Sequence, residues 1–392
     1  MANKNSGVVD ISSSSQVYRV YNKKGKALRI IALVLSIVLL LSGGGLLYYY
    51  SVLNSLNFKD ISSFVVHKEP DATTPGTDAE PINGKSQLTI GSGQLLQDSK
   101  VLNVMLFGED NNQGEKYGRT DTMIMMSIDN RHKKIKLTSF QRDSYVYIPG
   151  FGYDKINAAY TFGGPKLTIE TIEANFGIKI DRYAVVDFNS FIDIIDTLGG
   201  IEIEVTADEI EYINYQMYKN KQSSEWSTIK EQPGVIKLTG QEALWYARNR
   251  GLTKGEDGNE IGIDGDDWDR TLRQRKFLQT MIESMKSASL PEIIQIVSTV
   301  GPKITTNLKK DEITSLVSHA LTYLSYEVVQ FYVPSEGLWY YDNDTPVGSA
   351  IIIADMDAQR LALAEFIYED AITGVPSSSS AAATTATEKK NN

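Results

Sequence analysis

The feature that most constrains this chain is an uncharged apolar run near its N-terminus, IIALVLSIVLLLSGGGLLYYY at 30–50. Its 21 residues can cross a bilayer core of about 30 Å as a helix that rises about 1.5 Å per residue. A cleaved signal peptide is the alternative, but the run is longer than a typical h-region and no A-x-A site follows it. We therefore predict a single transmembrane helix over 30–50.

Basic residues are concentrated before this run, at Arg19, Lys23, Lys24, Lys26 and Arg29. Residues 54–63 on the other side carry a single lysine. The positive-inside rule then places the tail 1–29 in the cytoplasm and the rest of the chain outside the cell membrane. Residues 51–100 are rich in Pro, Thr, Asp and Gly and predict a linker, whereas 373–392 is low-complexity and predicts a disordered tail.

The folded body is predicted at 101–372, outside the membrane and tethered to it. Strands are indicated at 101–107, 122–128 and 134–140, and helices at 165–177, 239–250 and beyond residue 269. Thr239, followed three residues later by Glu242, is a capping box that begins one of these helices. The alternation predicts an α/β fold with a mixed central sheet flanked by helices.

Composition excludes several kinds of chemistry. The chain has no cysteine, and its three histidines, His67, His132 and His319, are far apart in the sequence. Thiolate sites, disulfides, a histidine-based triad and a multi-histidine metal site are therefore not expected. A net charge of -10 also argues against nucleic-acid binding, which needs a basic surface. Any anion site must be local and use carboxylates, arginines, amides and hydroxyls.

Charged residues follow or precede predicted strands at two places. Asp110 follows the first strand, while Arg119 and Asp121 come directly before the second, so the two carboxylates are candidates for holding a hard cation such as Mg2+. Arg142 follows the third strand. Surface ion pairs are the alternative at both places. Arg248 and Arg250 end the helix of WYARNRG, where favourable interaction with the helix dipole is an equally good explanation.

The segment DDWDRTLRQRKF (266–277) concentrates arginine in an acidic protein. If a helix begins near Asp269, the apolar stripe of the following residues extends back to Arg270, Arg273 and Gln274, whereas Arg275 and Lys276 fall outside it. Arginines in line with a core need an anion, which is either a neighbouring aspartate or a ligand. A calcium loop starting at Asp264 is a weaker alternative, because the residues at its later ligand positions do not match.

Taken in order, GED…GRTDTMIM, SFQRDSYVYIPG, DKINAAYTFGG, LTGQEALWYARNR and DDWDRTLRQ resemble the LytR-CpsA-Psr family of Gram-positive cell-envelope proteins. The resemblance is strong over 100–290 and general to about residue 372. It implies a phosphotransferase that moves an anionic glycopolymer from a polyprenyl-pyrophosphate carrier to a hydroxyl of peptidoglycan. An apolar tunnel between helices and sheet would take the isoprenoid chain.

Carried over motif by motif, the resemblance implies that Asp110 and Asp121 hold Mg2+ (or Mn2+). It implies a pyrophosphate site in which Lys155 and Arg273 have supporting roles, formed by Arg119, Arg142, Lys155, Arg248, Arg250, Arg270, Arg273 and Gln274. The implied catalytic set is Asp110, Asp121, Arg119, Arg142, Arg248, Arg250 and Arg270.

Two residues depart from the family's pattern: Gln141 stands where many members have proline, and Asp269 where glycine is common. Asp269 could orient Arg270 or weaken anion binding.

Two other functions remain open: a polyprenyl-pyrophosphate pyrophosphatase, or a non-catalytic lipid-binding or regulatory protein of the transcriptional-attenuator type. The sequence does not specify which glycopolymer is transferred.

Overall fold

The computed structural model describes residues 50–66, 95–110, 117–224, 228–254, 260–261 and 265–369. The chain divides into two compact units, Met1–Asn54 and Ser55–Asn392, and all elements named below belong to the second. The predicted tails 1–29 and 373–392 lie outside the described residues, as does the predicted span 30–50 except for Tyr50. Within the described ranges, no helix combines the length and apolar character that crossing a bilayer requires.

The second unit contains fifteen strands and nine α-helices within its described residues. The strands are β1 (Asn57–Phe58), β2 (Val101–Asp110), β3 (Arg119–Asp129), β4 (Lys134–Phe140), β5 (Tyr145–Ile148), β6 (Gly152–Lys155), β7 (Arg182–Asp187), β8 (Ile201–Val205), β9 (Gly234–Leu238), β10 (Thr253–Lys254), β11 (Glu260–Ile261), β12 (Thr305–Thr306), β13 (Glu327–Val333), β14 (Trp339–Thr345) and β15 (Gly348–Ile353). The helices are α1 (Ala158–Phe176), α2 (Phe188–Thr197), α3 (Ala207–Lys219), α4 (Gly240–Arg248), α5 (Asp267–Ser284), α6 (Leu290–Val300), α7 (Lys310–Ser318), α8 (Ala320–Leu324) and α9 (Met356–Tyr368).

A seven-stranded mixed sheet with the order β1–β12–β7–β2–β3–β4–β13 forms the centre of this unit. β3 runs antiparallel to β2 and β4, whereas β2 pairs with β7, and β4 with β13, in parallel. The predicted α/β class with a mixed sheet between helices is therefore confirmed. The predicted strand 134–140 has the observed bounds, but β2 and β3 extend further, to Asp110 and Arg119. These charged residues consequently belong to the sheet rather than to a loop.

The two faces of the sheet bury different sets of side chains. On one face, Met105, Met123 and Met125 of the sheet pack with Tyr160 of α1 and Ile367 of α9. On the other face, strands β3 and β4 pack against α5, and their cluster contains Ile124, Leu137, Leu278 and Ile282. Alternation along each strand assigns successive residues to opposite faces. The charged edge described below lies on the side of α5.

Helix α5 has apolar neighbours on two sides. Leu278 and Ile282 pack towards the sheet, whereas Phe277 and Met281 pack into a second cluster with α2, α3, α4 and the β8–β9 hairpin. The buried arc of α5 is therefore wider than one stripe. This explains why the prediction that Arg275 falls outside the buried face is wrong, since only 5% of this residue is exposed.

Part of the predicted linker 51–100 lies in the folded body. β1 joins the edge of the central sheet by pairing with β12, and Phe64 is buried in the cluster that contains Tyr183. A two-residue strand carries no periodic signal, so nothing in the sequence indicated it. Within α1, Gly163 and Gly164 form a kink, where Gly164 has φ 61°; this backbone conformation favours glycine.

Candidate active site

Charged side chains from three strand ends meet at one edge of the sheet. Asp110 ends β2 and lies opposite Arg119, the first residue of β3. Arg142 follows the end of β4. Because β3 is antiparallel to both neighbours, its beginning lies beside their ends. The edge therefore collects residues that are spread from position 110 to position 142 of the sequence.

A β-bulge places Asp121 at this edge. Gly108 lies opposite Thr122 and Glu109 lies opposite Thr120, so Asp121 is an extra residue in β3. Regular alternation would direct Asp121 to the face of Met123 and Met125, away from α5. Instead, its carboxylate contacts Arg270 of α5. The bulge therefore moves this carboxylate to the face of the sheet that α5 covers.

Three arginines surround Asp121. Arg142 Nη1 donates to Asp121 Oδ1 at 2.7 Å, Arg250 Nη2 donates to Oδ2, and Arg270 Nη1 lies 3.5 Å from Oδ2. Burial disfavours the ionised carboxylate, but Arg270, Arg142 and Arg250 together outweigh burial and hold the pKa of Asp121 below its usual value. Asp121 is consequently an anionic centre that arginines from three parts of the chain share.

Arg270 is the most deeply buried cation of the site, with 1% of its surface exposed. Its Nη2 lies 2.7 Å from Asp267 Oδ1, one helical turn earlier in α5. Burial outweighs the attraction of Asp267 and Asp121 and lowers the pKa of Arg270 to about 10, while burial raises the pKa of Asp267. Arg270 Nε and Nη1 have no hydrogen-bond acceptor among the described residues, so its donors are not fully used.

Arg142 links Asp121 to a second carboxylate pair. Its Nε lies 3.3 Å from both Asp143 Oδ2 and Asp267 Oδ1. Burial is outweighed by Asp121, Asp267 and Asp143, and the pKa of Arg142 is raised. Lys155 Nζ lies 3.0 Å from Asp143 Oδ1. The predicted supporting residue Lys155 therefore reaches the site through Asp143.

The end of α4 contributes two more arginines. Thr239 and Glu242 form the predicted capping box at the other end of this helix. Arg248 Nη2 lies 3.5 Å from Asp110 Oδ2, and its guanidinium stacks over the ring of Phe188 at 4.4 Å. Arg250 pairs with Asp121 and leaves 47% of its side chain exposed. Both arginines therefore contact carboxylates of the site as well as occupying a helix end.

Arg273 and Gln274 attach α5 to the end of α4. Arg273 donates to the carbonyl of Asn249 at 2.7 Å and pairs with Glu209 of α3 at 3.1 Å. Gln274 Nε2 donates to the carbonyl of Ala247 at 3.4 Å. These carbonyls lie at the C-terminal end of α4, where no backbone N–H of the same helix remains to bond with them. In this structure both side chains hold the segment that carries Arg248 and Arg250.

The first turn of α5 shows which groups Asp269 contacts. Asp266 is the N-cap, and its carboxylate accepts from the N–H of Trp268 and Asp269. The Asp269 carboxylate accepts in return from the N–H of Asp266 at 3.1 Å, which completes a capping box. Of the neighbouring aspartates Asp266, Asp267 and Asp269, Asp267 is the one that pairs with Arg270. Asp269 instead caps the N-terminus of α5.

The described residues of the site carry a cationic excess. Five cations pair with four carboxylates, and the exposed Arg119 lies at the same edge through its register opposite Asp110. Six cations and four carboxylates leave two positive charges when all are ionised. The cations are Arg119, Arg142, Lys155, Arg248, Arg250 and Arg270, and the carboxylates are Asp110, Asp121, Asp143 and Asp267. The sequence predicted site roles for all six cations but none for Asp143, whereas Asp267 was one of the neighbouring aspartates that could pair with Arg270.

Asp110 and Asp121 offer carboxylate oxygens, the ligand type that a hard cation prefers, at neighbouring strand ends, but Arg142, Arg250 and Arg270 already contact Asp121. A second group, Asp129, His132 and Glu369, also brings potential metal ligands together. There, however, Lys136 Nζ lies 2.7 Å from Asp129 and 2.8 Å from Glu369. The ammonium group of Lys136 already supplies the positive charge at that position.

Comparison with known proteins places these features in one family. The model of the LytR_cpsA_psr family matches residues 64–359. The chain is 30% identical over 259 residues to polyisoprenyl-teichoic acid–peptidoglycan teichoic acid transferase TagU of Oceanobacillus iheyensis. The aligned region covers 63% of this chain and 73% of TagU. It is also 30% identical over 288 residues to regulatory protein MsrR of Staphylococcus aureus, and this alignment covers 71% of this chain and 78% of MsrR.

Solved structures share the fold. The crystal structure of Bacillus subtilis TagV superposes with a TM-score of 0.53 at 27% identity, covering 69% of this chain and 98% of TagV. TagT bound to LI-WTA superposes with a TM-score of 0.53 at 24% identity, covering 70% of this chain and 95% of TagT. The family match spans most of the body that carries the arginine and carboxylate site, and the chain is a member of the LytR-CpsA-Psr family.

Proposed function

We propose that this protein transfers an anionic glycopolymer from a polyprenyl-pyrophosphate carrier to a hydroxyl of peptidoglycan. The observation that carries the proposal is the position of Arg270, buried between Asp121 and Asp267 with two donor nitrogens that have no hydrogen-bond acceptor among the described residues. A pyrophosphate diester has two negative charges, which match the cationic excess of the site. TagU and TagV are named teichoic acid–peptidoglycan transferases, which supports the same reaction here.

A strip of partly buried apolar side chains on the face of the sheet that α5 covers, here called the proposed lipid channel, suits the isoprenoid chain. Leu102, Leu106 and Met126 belong to the central strands β2 and β3, yet they are only partly buried although α5 lies over this face. Leu278 and Ile282 of α5 line the same region and are also partly buried. Central-strand side chains that keep access to solvent beneath a helix indicate space for an apolar ligand. The pyrophosphate would then lie at the arginine end of α5.

Phosphoryl transfer requires positioning and charge neutralisation more than covalent catalysis. The acceptor hydroxyl attacks the phosphorus that bears the glycan, a new O–P bond forms, the bridging P–O bond breaks, and polyprenyl phosphate leaves. The acceptor proton passes to a carboxylate of the site. Asp121 is a weak base for this role, because three arginines hold its pKa low.

We propose that Asp110 and Asp121 also hold Mg2+ (or Mn2+). The bound cation would supply additional neutralisation of phosphate charge. Arg250 is the half-exposed partner of Asp121, so it is the arginine that can most readily exchange this carboxylate for a phosphate oxygen. The sequence further supports a membrane anchor at 30–50 with the body outside the cell, which would bring the site to its lipid-linked substrate.

The test uses the full chain in detergent micelles with a synthetic polyprenyl-pyrophosphate-linked saccharide, Mg2+ and a peptidoglycan acceptor. We expect polyprenyl phosphate and a phosphodiester-linked acceptor in equal amounts. A pyrophosphatase would release the glycan phosphate into solution whether or not the acceptor is present. Tight lipid binding without turnover would instead favour a regulatory protein, the role that the name of MsrR describes. Either result would overturn the transferase proposal.

A further inference from the structure

Three aromatic side chains form a surface beside the charged site, here called the aromatic platform: Trp268, Trp339 and Tyr341. The rings of Trp268 and Trp339 stack with centroids 4.6 Å apart and an interplanar angle of 29°. Tyr341 stands edge-on to Trp339 at 5.2 Å, and Trp268 Nε1 donates to Tyr341 Oη at 3.2 Å. Tyr341 nevertheless remains 49% exposed, so an organised aromatic group faces solvent.

The platform is fixed to the charged site at two points. Trp268 directly follows Asp267, which pairs with Arg270. On the β14–β15 hairpin, Tyr341 lies opposite Ile351, and the N–H of Ile351 donates to the carbonyl of Asp143 at 2.9 Å. The backbone of the arginine-bearing loop after β4 therefore positions the hairpin.

The direction of α5 separates the platform from the proposed lipid channel. Trp268 lies in the first turn of the helix, whereas Leu278 and Ile282 of the channel lie in its C-terminal half. Arg270 and Gln274 lie between them. In a displacement at phosphorus the attacking oxygen and the leaving oxygen are roughly in line. If polyprenyl phosphate leaves towards the channel, the acceptor approaches from the end of α5 that carries the platform.

The chemistry of the platform favours a neutral ligand. Trp268, Trp339 and Tyr341 carry no charge, so they offer an anionic polymer no cation to pair with. The C–H faces of a neutral sugar ring, by contrast, can pack on aromatic rings. The donor glycopolymer is anionic, but the glycan backbone of the acceptor presents neutral N-acetylhexosamine rings.

We propose that the aromatic platform binds a sugar ring of the acceptor glycan and directs its hydroxyl towards the arginine site. This assignment rests on the proposed transferase function. The platform stacks with the acceptor ring, and Tyr341 contributes the most accessible ring. Neither the family match nor the names of the relatives assigns an acceptor site to these residues.

The first experiment measures binding in the absence of donor. The full chain in detergent micelles is titrated with a β-1,4-linked N-acetylglucosamine tetramer while tryptophan fluorescence is recorded. We expect Tyr341→Ala to weaken binding about tenfold and Tyr341→Phe to retain most of it, because phenylalanine keeps the ring. Tyr340→Ala is the matched control, since Tyr340 is 41% exposed but points to the other face of β14. Equal affinity of Tyr341→Ala and wild type would overturn the proposal.

The second experiment separates this proposal from the proposed function. In the transfer assay, Tyr341→Ala should raise the acceptor KM about tenfold and leave the donor KM unchanged. A rise in the donor KM alone would assign the platform to the donor and overturn the proposal. If the wild type binds the tetramer through Tyr341 but transfers nothing, the acceptor site is supported and the transferase function fails. Arg250→Ala should show the complementary behaviour, with tetramer binding retained and transfer lost.

Discussion

Asp267 and Arg270 lie one turn apart on α5, and Nη2 of the buried arginine is 2.7 Å from Oδ1 of the aspartate. The pair anchors Arg270 from its own helix, while Asp121 approaches from the sheet. Arg270 is therefore oriented before any substrate binds. Such preorganised charge is a major source of rate enhancement where negative charge develops in the transition state.

We expect Arg250→Ala and Arg270→Ala to differ in stability although both lose transfer. Removing one electrostatic contact of this kind lowers kcat by about 10²–10³-fold. Arg250 is half-exposed, so its replacement should leave the melting temperature nearly unchanged. Loss of Arg270 leaves Asp267 with only the 3.3 Å contact to Arg142, which costs up to about 3 kcal/mol of unfolding free energy. Steady-state kinetics and chemical unfolding of the full chain check both expectations. Normal transfer by either variant would contradict the anion site.

Asp269 should matter for the stability of α5 and not for chemistry. Its carboxylate completes the capping box with the N–H of Asp266, so Asp269→Ala should lower the unfolding free energy by about 1 kcal/mol. The rate of transfer at saturating substrate should remain within a factor of two or so of wild type. A much larger loss of rate at unchanged stability would mean that this carboxylate acts on the pyrophosphate instead.

Arg275 and Arg273 provide a matched pair of buried arginines. Arg273 pairs with Glu209, whereas Arg275 finds only the amide oxygen of Gln330 and the ring of Tyr332 among the described residues. We expect Arg275→Met to raise the unfolding free energy by about 1 kcal/mol, because an uncompensated charge is replaced by an apolar side chain of similar length. Arg273→Met should lower it by about 3 kcal/mol, since Glu209 is left unpaired. Equal effects of the two substitutions would refute this distinction.

Asp129 should control part of the acid sensitivity of the fold. Burial is outweighed by hydrogen bonds from Lys136 and His132, which lower the pKa of Asp129 to about 2 from its ordinary 3.8. A lowered folded-state pKa gives stability that is present above the unfolded pKa and lost as the pH falls towards the folded value. Between pH 4 and 2, wild type should therefore lose about 2 kcal/mol more than Asp129→Asn. Unfolding curves measured across this range test the difference, and parallel pH profiles would contradict it.

The sequence correctly predicted the buried residues of the site that follow a single helical periodicity. The stripe of α5 correctly identified Arg270, Arg273 and Gln274 as buried. It failed for Arg275 because helical periodicity assumes one apolar neighbour, whereas α5 packs against two. The capping box at Thr239 was equally predictable from the sequence, since it depends on two residues three positions apart.

Features that depend on distant pairing were not accessible to the same reasoning. β1 is only two residues long and exists because β12 lies beside it. The pairing of Arg142 with both Asp121 and Asp267 depends on how β3, β4 and α5 meet. Alternation in β3 would even have directed Asp121 to the wrong face, because a bulge appears in the pairing of two strands and not in the residues of one.

The bulge makes the length of β3 as important as its composition. Loss of Thr120 alone would restore regular alternation in β3 and turn the Asp121 carboxylate away from the three arginines that share it. A family member could therefore keep every charged side chain of the site and still be inactive through a single deletion. Alignments that score only residue identity at Asp121 would miss this kind of loss, whereas counting the residues of this strand would detect it.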